Sequence, residues 1–369
     1  MSTKFKDLYD RHIEMIQEEQ RKNERLAIGT LCSYVPVEIL HAFNILPVRL
    51  WGQSEDISQA DALLQIYICP PARHIMALGL AGHYDFLDGI VHSYTCDATC
   101  GLFNIWCRNL KPKFSFLLSP PYIDIDEAIE YSLAEHRGFI TALENFTKKR
   151  FSVDRLRRSI NLYNEARAYI KEIYDVKHRG APVSYLDIYY INLCLQVLPV
   201  EMLISLYQDY LLAAKEMVSK GSGKYRILLS GSVISDVDIM GLIEQRGGDI
   251  VVDDTCLGFR LVQDRINEDE DPLTALVKYY LRRPPCSSRA DFPARKNHVL
   301  EMISLFDVDA VIFMHQKFCD PHLSDHPFLK KVLDEKGIPQ MQLELEEEEG
   351  LTGQVQTRLE SFFEILEGK

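Results

Sequence analysis

The chain has 369 residues, 47% hydrophobic and 26% charged, a length beyond one ordinary domain and a composition that fits a folded globular protein rather than a disordered one. Its formal net charge of −13 argues against nucleic acid and anionic membrane as partners, since both need clustered lysine and arginine. The charged N-terminus does not read as a secretory signal and no apolar run reaches the length of about eighteen residues that a membrane span needs, so a cytoplasmic protein is expected.

In chain order, the first 26 residues read as an amphipathic, charge-rich helix, with Phe5, Leu8, Ile13 and Ile16 at roughly helical spacing. Residues 26–52, LAIGTLCSYVPVEILHAFNILPVRLWG, give a turn carrying Cys32, a helix opened by Pro36 and an apolar strand from Ile45 to Leu50. Two further apolar runs, LLQIYIC ending at Cys69 and GIVHSYTC ending at Cys96, are predicted strands that pass directly into helices. Strand, tight turn and helix in repetition specify a parallel α/β sheet. From about 123 to 222 apolar residues recur every three or four positions, the pattern of a helical layer. Residues 224–260 form one βαβ unit, and VDAVIFMHQKFC (308–319) and PQMQLELE supply two more strands. The expected fold is α/β, with two Rossmann-like parallel-sheet domains, 1–122 and 223–369, and a helical region, 123–222, between them. The acidic run from Glu344 to Glu349 is expected to be a solvated loop.

Nine cysteines in a reducing compartment are packed apolar residues, metal ligands or reactive thiols rather than a disulfide framework. In an open α/β sheet ligands sit at the carboxyl ends of the strands. Cys69, Cys96 and Cys319 each close a predicted strand and Cys32 occupies a similar turn, so these four converge in space although distant in sequence. Cys194 reads as core packing, and Cys256 and Cys286 as core or loop. Soft thiolates gathered from separate strands suit zinc or an iron–sulfur cluster. The paired C-x2-C knuckles of zinc ribbons are absent, and Cys96-x3-Cys100-x6-Cys107 fits no compact cluster motif, which leaves that triplet open to being ordinary helix cysteines. With a helix starting near Asp97, Cys96 stands at its N-terminal end, where the dipole favours a thiolate. Cys100 and Cys107 then face other helices, although Cys100 stays a rival to Cys96.

Glu38, a turn and a half after Cys32, could act as acid or base, but a surface position is the commoner place for a helical glutamate. Asp253 and Asp254 end a strand beside Thr255 and are expected to cap the next turn. Thr352 and Gly353 open the last helix, where free N–H groups could receive a phosphate or thioester oxygen, or where Thr352 only N-caps. The SGSVISD turn at 230–236 carries no phosphate-binding pattern, so the chain is not expected to be an ATPase.

GTLCSYVPVEILHAFNILPVRLWG, TCDATCGLFNIW, GGDIVVDDTCLGFR, KFCDPHLSDHPFLKKVLDEKGIP and LTGQVQTRLESFFEIL, in this order and nearly end to end, resemble the family of 2-hydroxyacyl-CoA dehydratase and benzoyl-CoA reductase subunits. The resemblance implies a [4Fe–4S] cluster held by three cysteines with one iron open. It also implies a heterodimer with a homologous second subunit, and electrons from a separate ATP-dependent iron–sulfur activator. Carried over, the matching cysteines are Cys32, Cys69, Cys96 and Cys319. Cys69, Cys96 and Cys319 are the expected ligands, with Cys32 near the open iron or replacing one of them. The implied reaction is one-electron reduction of an acyl-CoA thioester to a ketyl radical, which expels the hydroxide and acidifies the β-proton. Two other readings stand beside it: a double-cubane-type reductase or electron-transfer protein, which needs more cysteines per chain, and a metal-free α/β binding module.

Overall fold

The computed structural model describes residues 4–217, 223–284, 286–289, 292–346 and 352–368. Eight strands among them form two parallel sheets. In the first, β1 (Leu26–Thr30), β2 (Ile45–Arg49), β3 (Gly89–Ser93) and β4 (Phe114–Leu118) lie in the order β2-β1-β3-β4. In the second, β5 (Tyr225–Gly231), β6 (Gly248–Asp254), β7 (Ala310–Gln316) and β8 (Gln340–Leu345) repeat the plan as β6-β5-β7-β8. The α/β expectation holds. Parallel pairing requires crossovers, which helices supply, and it buries both faces of the inner strands. Every residue of the inner strands β3 and β7 is accordingly buried, and so is every residue of the edge strand β6, whose apolar centre Ile250–Val252 is flanked by buried aspartates.

Two strands differ from the sequence reading. LLQIYIC passes through turns, with Ile66 73% and Tyr67 63% exposed, and pairs with no strand among the described residues. Its apolar content imitates an inner strand, yet it contributes only Leu64, with partial burial of Ile68 and Cys69, to the core around Leu31, Leu50 and Trp106. The sheet instead uses Leu26–Thr30, read from sequence as the approach to the Cys32 turn, and Phe114–Leu118, which the sequence reading gives no strand. The N-terminal segment breaks into two helices, Lys4–Asp10 and His12–Asn23, whose Phe5 ring lies 5.7 Å from Tyr207 and 5.6 Å from Tyr210.

Between the sheets in sequence run the helices Asp126–Thr147, Val153–His178, Tyr185–Val197 and Val200–Glu216. Ser152 and Ser184 cap two of them by accepting from Arg155 N and Leu186 N. One core contains Ala27 and Val48 of the first sheet, Tyr174 and Ile188 of the helices, and Val251 and Phe313 of the second sheet, so both sheets pack on the same helices. Of the acidic run, Glu344 lies in β8, whereas 347–349 fall outside the described residues. No helix among the described residues is long and apolar enough to cross a membrane.

Candidate functional site

A strand order that reverses direction leaves a crevice at the carboxyl ends of the two strands flanking the reversal. Here those pairs are β1 with β3 and β5 with β7. Cys32 follows β1 and Cys96 follows β3; Ser232 follows β5 and Cys319 follows β7. Leu31 N donates to Val91 O at 3.2 Å and Tyr94 N to Leu118 O at 2.8 Å, which ties both N-terminal loops to the sheet. At the second sheet Gly231 is required, because a Cβ there would stand 2.1 Å from Met314 O. Cys96 is the extended N-cap residue of the helix Asp97–Leu110, and Cys319 immediately precedes the helix Asp320–Glu335.

The thiols crowd one another. Burial pushes Cys96 up, Thr99 opposes this, and Cys32 and Cys286 add to it. Cys319 is pushed up to about 12, first by burial and less by Cys286 and Cys96, against hydrogen bonds from the His322 N–H and Ser232. Cys256 and Cys286 face each other; Cys286 is held below the ordinary thiol range, first by Cys256 and then by His322 and Arg260. Ser288 Oγ donates to Cys286 Sγ at 3.3 Å, and Cys32 Sγ lies 3.1 Å from Thr95 Oγ1. None of the nine cysteines is in a disulfide. Among the described residues no three histidine, cysteine or acidic groups converge as a single metal ion requires. A polynuclear cluster makes a different demand, for thiolates spaced around a volume, and half-buried free thiols arriving from several strand ends provide that donor set.

Stacked cations clamp the loop carrying Cys286 over the turn carrying Cys32. The Arg283 guanidinium lies 5.5 Å from the Tyr34 ring and 5.4 Å from Tyr280, and donates to Ser33 O. Arg289 lies 5.2 Å from Tyr34 and 4.5 Å from Tyr122, and Tyr34 Oη donates to Pro284 O at 3.3 Å. Beneath them Asp254, fully buried, is gripped by Arg260 at 3.0 Å, by Arg295, by His298 at 3.1 Å and by Ser230 Oγ at 2.9 Å. Burial opposes its ionisation, but these cations hold its carboxyl well below the usual range. Arg295 continues to Asp325 at 3.1 Å, and Asp325 accepts from Ser287 at 2.9 Å, beside Cys286. The neighbouring Asp253 instead accepts from Thr255 Oγ1 at 2.6 Å, Phe259 N at 3.4 Å and Tyr174, and burial raises its pKa. Asp253 thus caps the turn as expected, and Asp254 does not.

Glu38 is not on the surface. It is completely buried, with one oxygen paired to Arg167 and the other accepting from Tyr280 Oη at 2.8 Å. Arg167 and Tyr280 line, with Cys32, Arg49 and Arg283, a cleft of about 50 Å³, so Glu38 holds the cleft wall with both oxygens engaged.

Of the cysteines singled out from sequence, Cys32, Cys96 and Cys319 reach one neighbourhood. Cys69 caps the helix Pro70–Leu80 and packs on the core of the first sheet, and the strand that recommended it is absent. Cys100 lies one turn into the helix behind Cys96, its N–H bonded to Cys96 O at 3.1 Å. Cys194 is core, with no exposure. Cys256 and Cys286 join the site against expectation. Cys256 follows β6 closely, so the strand-end rule could have found it; Cys286 follows no strand, and nothing local marks it. Thr352 N-caps the last helix, accepting from Val355 N at 3.2 Å.

A sequence profile of the 2-hydroxyglutaryl-CoA dehydratase D-component family matches residues 32–366. The chain is 29% identical over 337 residues to one of the subunits of benzoyl-CoA reductase of Thauera aromatica, covering 88% of this chain and 87% of that one. It is 26% identical to the beta subunit of lactoyl-CoA dehydratase of Anaerotignum propionicum, over 92% and 91%. It is 24% identical to the beta subunit of (R)-phenyllactyl-CoA dehydratase of Clostridium sporogenes, over 98% and 97%.

Proposed function

Because the chain belongs to the 2-hydroxyglutaryl-CoA dehydratase D-component family, we propose that it is the iron–sulfur subunit of a cytoplasmic 2-hydroxyacyl-CoA dehydratase or benzoyl-CoA reductase. The observation that carries this reading is the meeting of thiols from the ends of β1, β3 and β7. Cys96 and Cys319 would hold a [4Fe–4S] cluster with a third cysteine, either Cys69, which like them stands at the start of a helix, or Cys32 at the end of β1. Such a cluster, when bound, supplies single electrons at low potential for reduction of a CoA thioester to its ketyl radical. The chain's own part is to exclude water with the clamp of Tyr34, Arg283 and Arg289, and to present Arg49 and Arg167 as donors in the cleft beside Cys32, the Tyr280 hydroxyl being committed to Glu38. That the relatives are named as subunits supports a second chain completing the enzyme; that chain would be homologous, and an ATP-dependent iron–sulfur activator would deliver the electrons.

The facing pair Cys256 and Cys286 favours a second reading, a double-cubane-type cluster that reduces small molecules, because it adds two thiols to the three. Iron and acid-labile sulfide counting on anaerobically purified protein separates these. About four of each per chain is expected for one cubane, and about eight supports the second reading. Zinc alone, or no metal after reconstitution, would leave the metal-free binding module. Cys96→Ala and Cys319→Ala should lose iron and Cys194→Ala should keep it; Cys32→Ala against Cys69→Ala decides the third ligand. Thioester turnover should require the second subunit, the activator and ATP.

A further inference from the structure

We propose that Thr95 and Thr99, the threonines bracketing Cys96 in TCDAT, are positioning residues whose hydroxyls hydrogen-bond the sulfurs of Cys32 and Cys96 and raise the reduction potential of the cluster those sulfurs hold. The assignment rests on the cluster reading above, its Thr95 part on Cys32 being the third ligand. Thr95 Oγ1 lies 3.1 Å from Cys32 Sγ, and Thr99 Oγ1 lies 3.2 Å from Cys96 Sγ. With a free thiol either atom can donate. A metal-bound sulfur has lost its proton, so there the hydroxyl is the donor.

Thr99 has further neighbours that fix the direction of its proton. Its Oγ1 lies 3.2 Å from Cys96 O and 3.2 Å from His92 Nε2. One hydroxyl proton serves one acceptor best, and a charged sulfur attracts it more than a neutral carbonyl does. His92 must then donate from Nε2 to Oγ1, which leaves Nδ1 as a bare lone pair. That nitrogen is buried and has no hydrogen-bond partner among the described residues, as this tautomer requires, since an orphaned buried N–H is the rarer state. Burial, with Arg49 adding to it, pushes His92 down to about 3, so the ring stays neutral. The result is a one-directional chain from the His92 N–H through the Thr99 O–H to the Cys96 sulfur, each bond polarising the next. The other rim repeats the device, with Ser288 on Cys286 and Ser232 on Cys319.

Reduction places added negative charge on the cluster and its sulfurs, so a donor to sulfur stabilises the reduced form more than the oxidised one. Thr95 directly precedes Cys96 and Thr99 stands in the first turn of the helix Asp97–Leu110, so one short segment bears on two sulfurs.

The test is a redox titration, followed by electron paramagnetic resonance, of the anaerobically reconstituted full chain. In Thr99→Val, which keeps the shape and removes the hydroxyl, the reduced-to-oxidised ratio at fixed potential should fall about tenfold, about 59 mV for one electron. Thr95→Val should shift the same way, and Thr99→Ser should match the wild type. Valine variants with wild-type potentials would overturn the assignment. If Thr99→Val holds no iron, Thr99→Ser decides: loading with the wild-type potential supports the hydroxyl, and failure to load overturns it in favour of a packing role. A wild-type chain without a cluster overturns the underlying reading and this inference with it, whereas a wild-type cluster beside insensitive variants overturns the threonine assignment alone.

Discussion

The N-terminal rim of the crevice sets Cys32 and Cys96 beside neutral hydroxyls from one short segment, whereas the C-terminal rim adds to its serine hydroxyls a buried charged network of Asp254, Arg260, Arg295, His298 and Asp325 around Cys256, Cys286 and Cys319. Both rims use the same device of strand, turn and helix. Neutral hydroxyls cost little to bury and need only local partners. Buried charges are costly to desolvate and are tolerated only when every member is paired, so the network fixes the position of distant loops more than it adds stability. The cation-rich rim should therefore be intolerant of single changes, and the hydroxyl rim forgiving in stability while sensitive in electronic properties.

The largest expected effect is on the network. Arg295→Met leaves Asp254 and Asp325 short of a buried partner and should cost about 3–5 kcal/mol of unfolding free energy, read from urea denaturation. A loss no larger than that of a surface substitution would dissolve the contrast between the rims. Gly258→Ala comes next. A Cβ there would stand 1.5 Å from Asp253 Oδ2, so the turn that carries Cys256 must shift, at about 1–3 kcal/mol by the same measurement.

Acid sharpens the comparison further. Asp254 is held well below its ordinary value, so its pairing contributes fully above the unfolded pKa of about 3.9 and is lost as pH falls through the lower folded value. The stability gap between wild type and Asp254→Asn should be flat above about pH 5 and should shrink below about pH 4. A gap that widens on acidification would contradict the ionised state of Asp254. The smallest effect belongs to the other rim: Thr95→Val should change unfolding free energy by no more than about 0.5–1.5 kcal/mol, the net worth of one hydrogen bond.

Local pattern carried a large part of the architecture. The strands β3, β6 and β7, the four helices between the sheets and the start of the helix at Asp97 each follow from a period or a cap that a short window contains. So does the place of Cys96 and Cys319, because a strand end passing into a helix is itself a local signal. What the sequence left undecided depends on partners far along the chain. LLQIYIC has the composition of a strand, but a strand exists only where a neighbour completes its hydrogen bonds, and the sheet gives that place to Leu26–Thr30. Glu38 looks like a surface residue until Arg167, 129 positions later, and Tyr280, 242 positions later, close over it. Cys286 joins the site through cations stacked on Tyr34, a long-range contact that leaves no periodic trace in the residues around either partner.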